Sequence, residues 1–227
     1  MRKLLFNEKN NGGSIGIGAM IVLIAMILVA GVAASVIIST STTLQSQAMK
    51  TGIQTIREVS SGLNVFSIVG YAATGEDMSC LAITIEGRPG ANRIDLNNTF
   101  ILISDGTTKS LLSYACISDD PTNVSFFNAS VTGDLFTAVN WSLLDSAKFA
   151  VGVLQDYDGS MSTQANPTIN RGDKACLFIH MDTGGTFDSQ LPTRTEVFGE
   201  VIPEIGASGV IGFTSPMSYF DNIYTLQ

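Results

Sequence analysis

An uncharged stretch from Ser14 to Met49 constrains this chain more than any other feature of its sequence. Its first half is almost entirely apolar or small, and about 20 apolar helical residues rising ~1.5 Å each cover the ~30 Å hydrocarbon core of a bilayer. Beyond Ser39 the apolar residues thin to a one-sided stripe that continues to Phe66. The stretch predicts one long helix over residues 14–66, lipid-compatible at its start and amphipathic at its end.

A short basic segment precedes this helix. Residues 1–13 have a net charge of +2 and end in a glycine pair directly before the apolar run. This arrangement predicts a class III, prepilin-type leader cut between Gly13 and Ser14, which leaves the helix as the new N-terminus. Removing +2 from a chain of −8 leaves −10. The alternative is an ordinary secretory signal cut near Ala30–Gly31 or Ala33–Ala34, for which the apolar run is too long.

The remainder, residues 67–227, has the pattern of a separate β domain. Short β-rich runs alternate with turn sequences such as Arg88–Pro89–Gly90 and Asp158–Gly159. Many short strands at roughly regular spacing predict an antiparallel β-sandwich of the immunoglobulin-like type, so the fold class is α+β. Alternation in CLAITIEG and KFAVGVLQ predicts that each of these strands buries one face. The predicted strands are Phe66–Tyr71, Cys80–Glu86, Thr99–Ser104, Ser110–Ile117, Phe149–Leu154, Ala175–Met181, Arg194–Ile202 and Val210–Phe213.

Composition and the missing motifs exclude several classes of function. A net charge of −8 argues against a nucleic-acid partner, which requires a basic face. His180 is the single histidine, and the sequence contains no nucleophile-elbow, zinc-protease or phosphate-loop motif, so no enzyme is predicted. The spacing of Cys80, Cys116 and Cys176 fits no zinc site. It leaves open either one disulfide or three free thiols.

Both ends of the chain resemble one family. The segment GGSIGIGAMIVLIAMILVAGVAASVIISTSTTLQSQA resembles the start of archaeal flagellins (archaellins), which have a glycine before the cut, paired glycines and an apolar block running to a polar L-Q. Gly16 and Gly18 take the place of the paired glycines. Bacterial type IV pilins usually carry glutamate where this chain has Gly18. RGDKACLFI and GEVIPEIGASGVIGFTSPMSYFDNIYTLQ are similar to the closing segments of archaellins, whereas residues 115–165 are less diagnostic.

The resemblance implies a structural subunit of the archaellum, an extracellular filament on the cell surface used for swimming. It implies helices packed in the filament core and β domains in the sheath, with no cofactor required. The implied partners are copies of the chain and paralogous subunits, a prepilin-type signal peptidase, and the archaellum motor and assembly ATPase, with the membrane a partner only before assembly. The alternatives are an archaeal adhesion pilin and a membrane-anchored extracellular binding module. The predicted assembly residues are Gly16, Gly18, Ile21, Leu23, Ile24, Met26, Leu28, Val32, Val36 and Ile37.

Four N-x-S/T sequons predict N-linked glycosylation, at Asn97, Asn123, Asn128 and Asn140. Three of them fall within twenty residues of one another, which predicts an exposed outer face for segment 120–142. The resemblance supports this hypothesis, because archaellins are commonly N-glycosylated. The alternative is an unmodified polar loop.

A turn after one predicted strand carries acids at alternate positions. Asp156 and Asp158 flank Tyr157 just before Gly159, and Asp173 is placed to reach the same point. Carboxylate oxygens around a glycine turn are typical ligands of Ca²⁺ or another hard divalent cation. The run lacks the downstream glutamate of an EF-hand loop, so the alternatives are an irregular cation site and a solvated β-turn.

Overall fold

The computed structural model describes residues 12–73, 76–115, 127–128, 130–137, 140–141, 144–162 and 166–227. Two compact units make up the chain, one ending at Ile53 and the other comprising Gln54–Gln227. The positions of Cys116 and Asn123, and of the leader before Gly12, lie outside the described residues.

One helix, α1 (Gly12–Ser60), accounts for the N-terminal part of the chain. Its 49 residues include no proline, and at 1.5 Å per residue they extend about 73 Å. The polar run in the middle keeps its hydroxyls within the helix: Thr40 donates to the carbonyl of Ile37, and Thr42 and Thr43 donate to that of Ser39. Residues from Ile15 to Ser60 are, by length and composition, sufficient to cross a membrane.

The helix ends six residues before the predicted boundary at Phe66. The first strand, β1 (Leu63–Ala72), begins instead at Leu63, which is fully buried and lies opposite Gly87. Gly62 connects the two elements at a φ of 155°, which residues with a side chain rarely adopt. Apolar residues at 59, 63 and 66 fit a helical stripe as well as a strand, and pairing with a neighbouring strand decided the outcome.

The described residues contain eleven further strands. All eight predicted strands are present, with shifted ends, and four short ones were not predicted. The eleven further strands are β2 (Met78–Gly87), β3 (Ile94–Asp95), β4 (Phe100–Ser104), β5 (Lys109–Tyr114), β6 (Phe127–Asn128), β7 (Lys148–Gln155), β8 (Thr168–Ile169), β9 (Lys174–His180), β10 (Glu196–Ile202), β11 (Gly209–Thr214) and β12 (Ile223–Thr225). The four that were not predicted are β3, β6, β8 and β12.

The longer strands form one curled, mostly antiparallel sheet in the order β11-β10-β4-β5-β7-β9-β2-β1-β12, while β3 and β8 pair separately. The predicted α+β class, with one long apolar helix and an antiparallel-rich β domain, is confirmed. A parallel pair, β5 with β7, joins the two halves into a continuous path. The ends of the path meet, since the Gly212 amide on β11 donates to Gln227 Oε1 beyond β12, at 3.2 Å.

The three adjacent strands β7, β9 and β2 are buried on both faces, so the prediction of one buried face was wrong for β2 and β7. The main core fills the inside of the curl and includes Phe149. A second cluster covers the other side of the sheet, where Phe136 and Trp141 pack against Phe178 and its neighbours. Val131, Leu135, Phe136, Trp141 and Leu144 therefore supply a covering layer that alternation in a single strand does not reveal.

Candidate functional sites: the assembly helix and the acidic loop

Helix α1 presents an apolar surface that none of the described residues covers. All eight large side chains predicted for assembly are 56–71 % exposed, whereas core residues such as Leu81 are fully buried. At Gly16 and Gly18 an added Cβ would meet no atom within 4 Å, so a neighbouring backbone has room to approach there. Such a continuous apolar surface requires either lipid or other helices around it.

The predicted processing site lies at the beginning of α1. The helix starts at Gly12, so the bond between Gly13 and Ser14 falls in its first turn. Cleavage there would leave almost the whole helix on the mature chain.

The three predicted acids come together in what we call the acidic loop, formed by residues 156–161 after β7 and 170–173 before β9. Asp156, Asp158 and Asp173 each bring one carboxylate oxygen to within 4.8 Å of the others. Asp156 is half-buried and Asp158 is exposed, whereas Asp173 is only 1 % exposed.

Backbone amides fix the carboxylates of the acidic loop. Asp156 accepts hydrogen bonds from the amides of Gly159, at 2.8 Å, and Met161, at 3.1 Å. Asp173 accepts from those of Tyr157 and Asn170, both at 3.0 Å. Asp173 Oδ2 also accepts from the Ser160 hydroxyl, at 3.3 Å. The loop is thus held by its own acids.

The charges of the acidic loop are incompletely balanced within the described residues. Arg93 is 3.4 Å from Asp158, and its side chain is 72 % exposed. Hydrogen bonding to Ser160, supported by Asn170 and the charge of Arg93, lowers the pKa of Asp158. No ion pair to Asp173 occurs among the described residues. Buried carboxylates are normally paired or bound to metal, so the donor set suits a hard cation.

The sequons within the described residues differ in accessibility. Asn97 is half-buried, and Thr99 is fully buried with its hydroxyl donating to the carbonyl of Asp95 at 3.1 Å. Asn128 is half-buried and Ser130 is exposed. Asn140 is exposed. Among the described residues of segment 120–142, Phe136 and Trp141 lie against the sheet, so these two are not part of the predicted exposed face.

Neither of the two described thiols shows catalytic activation. Cys80 and Cys176 are free and buried. Burial raises the pKa of Cys80 to about 11 and that of Cys176 well above its usual range. His180 lies opposite Cys80 on the adjacent strand, yet a catalytic thiol requires a lowered pKa.

Sequence reasoning missed a cluster that holds the end of the helix, here called the junction clamp: Ser61, Gly62, Arg88, Gly206 and Ala207. Ser61 is 1 % exposed; its carbonyl accepts from the Ala207 amide at 3.0 Å, and its hydroxyl accepts from the Asn92 amide at 3.2 Å. The Arg88 amide donates to the carbonyl of Gly62 at 3.0 Å. The glycine within the P-E-x-G segment near the C-terminus was the available signal for this contact.

Comparisons with known proteins agree over nearly the whole chain. The model of the archaeal-type flagellin family matches residues 13–213. Flagellin B3 of Methanocaldococcus jannaschii is 40% identical over 226 residues, which cover 99% of this chain and 100% of the relative. Flagellin B5 of Pyrococcus abyssi is also 40% identical, over 95% of this chain and 99% of its own.

Solved structures give the same result for the fold. The crystal structure of archaeal flagellin FlaB1 from Methanocaldococcus jannaschii aligns with a TM-score of 0.61 at 34% identity, covering 74% of this chain and 97% of that one. The archaeal flagellum of Methanospirillum hungatei aligns with a TM-score of 0.59 over 92% of this chain and 98% of its own, at 16% identity.

These matches confirm the resemblance found at both ends of the sequence. They support a structural filament subunit on the cell surface and not an enzyme, and they favour neither the adhesion pilin nor the anchored binding module. The chain belongs to the archaeal-type flagellin family.

Proposed function

We propose that this flagellin is processed between Gly13 and Ser14 and then polymerises through α1 into an archaellum filament. The observation that carries the proposal is the uncovered apolar surface of α1. At roughly 25 cal/mol per Å² of buried apolar area, packing against other helices stabilises a polymer strongly. The same surface is stable in lipid before assembly, so one helix serves both the membrane-held precursor and the filament.

Processing and assembly are tested together by mass spectrometry of filaments sheared from cells. We expect an N-terminal peptide that begins Ser14-Ile15-Gly16. Replacing Gly13 with valine should block cleavage and remove the chain from the sheared fraction, whereas Gly12→Ala, a matched control, should not. A chain absent from sheared material, or one beginning near residues 31–35, would contradict the proposal.

The partners follow from this route. A prepilin-type peptidase removes the leader, and the assembly ATPase and motor of the archaellum extend and rotate the filament, with paralogous flagellins as further subunits. The chain contributes contacts that propagate without closing, since a heterologous interface of this kind generates a helical polymer.

We further propose that the acidic loop binds Ca²⁺ or a similar divalent cation through Asp156, Asp158 and Asp173. Support comes from the convergence of three carboxylates and the burial of Asp173 without a cationic side chain among the described residues. The exposed Arg93 side chain is free to leave Asp158 when the cation binds. A bound cation would tie β7 to β9 and so stabilise the β domain.

Calcium titration of the full chain in detergent provides the test. At a hundred times the Kd, a bound cation adds about 2.7 kcal/mol to the free energy of unfolding. We expect this calcium-dependent rise in the parent and its loss in both Asp158→Asn and Asp173→Asn. Asp221→Asn removes an exposed charge elsewhere and should retain the rise. A parent protein whose unfolding does not respond to calcium would disprove the site.

We propose N-linked glycans at Asn128 and Asn140 in preference to Asn97. The reason is the accessibility of the sequon, because an enzyme acting on the folded exported chain cannot engage the buried Thr99 hydroxyl. Glycopeptide mass spectrometry should find a mass increase at Asn128 and Asn140 and little at Asn97. If Asn97 were glycosylated as fully as Asn128 and Asn140, the glycan would be transferred before the β domain folds, and accessibility in the folded chain would not explain the choice of site.

A further inference from the structure

A second apolar surface lies on the β domain, on the outward face of β5, β4, β10 and β11. Side chains alternate along these strands, and the inward ones, such as Val201 and Ile103, are fully buried. Several of the outward ones are large, apolar and uncovered. Their exposed fractions are 42 % for Phe100, 56 % for Leu111, 53 % for Phe198 and 68 % for Val210.

Strand register places a hollow within this face, which we call the sheet socket. Phe198 lies opposite Gly212 on one side and Ser104 on the other, while Val210 lies opposite Glu200. Gly212 has no side chain, and an added Cβ there would meet nothing within 4 Å, so no side chain at that position covers Phe198. The hollow measures about 360 Å³, and its lining residues are Leu102, Ile103, Ser104, Lys109, Phe198, Gly199, Glu200, Val210 and Ile211.

Charge favours the sheet socket as a contact between copies of the chain. The whole chain carries −8, so most pairs of surfaces on two copies repel each other. The lining of the socket includes one cation, Lys109, and one anion, Glu200. The Glu200 carboxylate accepts a hydrogen bond from the Ser208 hydroxyl at 2.8 Å, so it already has a partner. An apolar hollow with balanced charge is therefore a site where two acidic copies can approach each other.

The same domain also displays an apolar projection, which we call the aromatic knob: Met217 and Phe220, between β11 and β12. They are 72 % and 82 % exposed. The loop beneath them is anchored, because Tyr219 is buried and its hydroxyl donates to the carbonyl of Leu191 at 3.0 Å. The ring of Tyr219 also packs edge-on against Tyr224. A rigidly held exposed aromatic residue is typical of an interface anchor.

We infer that the aromatic knob of one copy docks into the sheet socket of the next copy in the filament sheath. The inference rests on the proposed polymerisation, since α1 brings the copies together. Knob and socket are different surfaces of one domain, so the contact is heterologous and repeats from copy to copy without closing. It gives the sheath cohesion of its own, in addition to the packing of the helices.

The test is crosslinking in intact filaments with a short bismaleimide. The chain carries Val210→Cys at the socket and Asp221→Cys beside the knob, with Cys116→Ser to remove one native thiol. Cys80 and Cys176 are buried and stay unreactive. We expect a ladder of dimers, trimers and longer products on a denaturing gel. Filaments of the double variant without a ladder, or dimers from Val210→Cys alone, would overturn the inference.

A second variant tests whether the aromatic knob itself makes the contact or only lies near the sheet socket. Adding Phe220→Ala should reduce the yield of the ladder about tenfold, which corresponds to about 1.4 kcal/mol. Adding Ile223→Ala, another exposed apolar residue, should leave the yield unchanged. An equal loss in both variants would overturn the role of Phe220. Failure of the parent chain to form sheared filaments would instead refute polymerisation itself, so the two proposals fail in distinguishable ways.

Discussion

Replacing Leu28 with aspartate is expected to abolish filament formation. Leu28 is 65 % exposed on α1, within the uncharged stretch, and in a polymer its side chain would be surrounded by apolar helices. Burying an unpaired carboxylate there costs several kcal/mol in every subunit, and the same charge opposes residence in lipid before assembly. The yield of sheared filaments should fall below detection while the precursor is still synthesised.

The matched control adds the same charge where α1 is already polar. Gln47→Asp should assemble nearly as well as the parent, since Gln47 lies next to Ser46 and close to Lys50. In both variants the fluorescence of Trp141, the single tryptophan of the chain, should report an unchanged β domain. Normal filament yield from Leu28→Asp would mean that this part of α1 is not an assembly surface.

Replacing Gly206 with alanine is expected to destabilise the β domain by about 3 kcal/mol or more. Gly206 has φ +100°, where a side chain strains the backbone, and an added Cβ would strike the Ser61 carbonyl and lie 2.7 Å from the Gly62 nitrogen. Left-handed strain costs about 1–3 kcal/mol, and overpacking against immovable backbone costs a similar amount. Guanidinium unfolding of the full chain in detergent, followed by Trp141 fluorescence, measures the loss.

Gly106→Ala separates these two contributions. Gly106 has φ +86°, yet an added Cβ there would meet nothing within 4 Å, so the substitution introduces backbone strain alone. We expect a loss of about 1 kcal/mol, at the lower end for such strain. If the two variants lose the same stability, the junction clamp accommodates the added methyl group without a packing cost.

The helix and the longer strands were predictable because each carries its own signal. α1 follows from an unbroken apolar run, and the eight long strands follow from β-rich runs between turns. The two-residue strands β3 and β8 have no such signal, because they exist only through pairing between Ile94–Asp95 and Thr168–Ile169. The same reason explains the end of α1, where the partner strand and not the local pattern decided the conformation of Leu63.

The acidic loop was predictable from residue type and spacing. Asp156 and Asp158 are close neighbours in the sequence, and carboxylates around a glycine turn are typical ligands of hard divalent cations. The third acid, Asp173, joins them because β7 and β9 are adjacent strands. The junction clamp was not predictable in this way. Its members Ser61 and Gly206 are far apart in the sequence. Contacts between backbone atoms can be made by most residue types, so the sequence gives little indication of them.

The junction clamp also determines where the chain resists proteases. A protease binds an exposed segment in extended form, and the connection between two secondary-structure elements is a common place for one. Here the amides of Ser61 and Leu63 donate to the carbonyls of Arg57 and Ala207, and Ser61 is buried, so the connection between α1 and β1 offers no accessible cleavage segment. A β domain released by proteolysis would therefore retain the last turns of α1 as a helical stub.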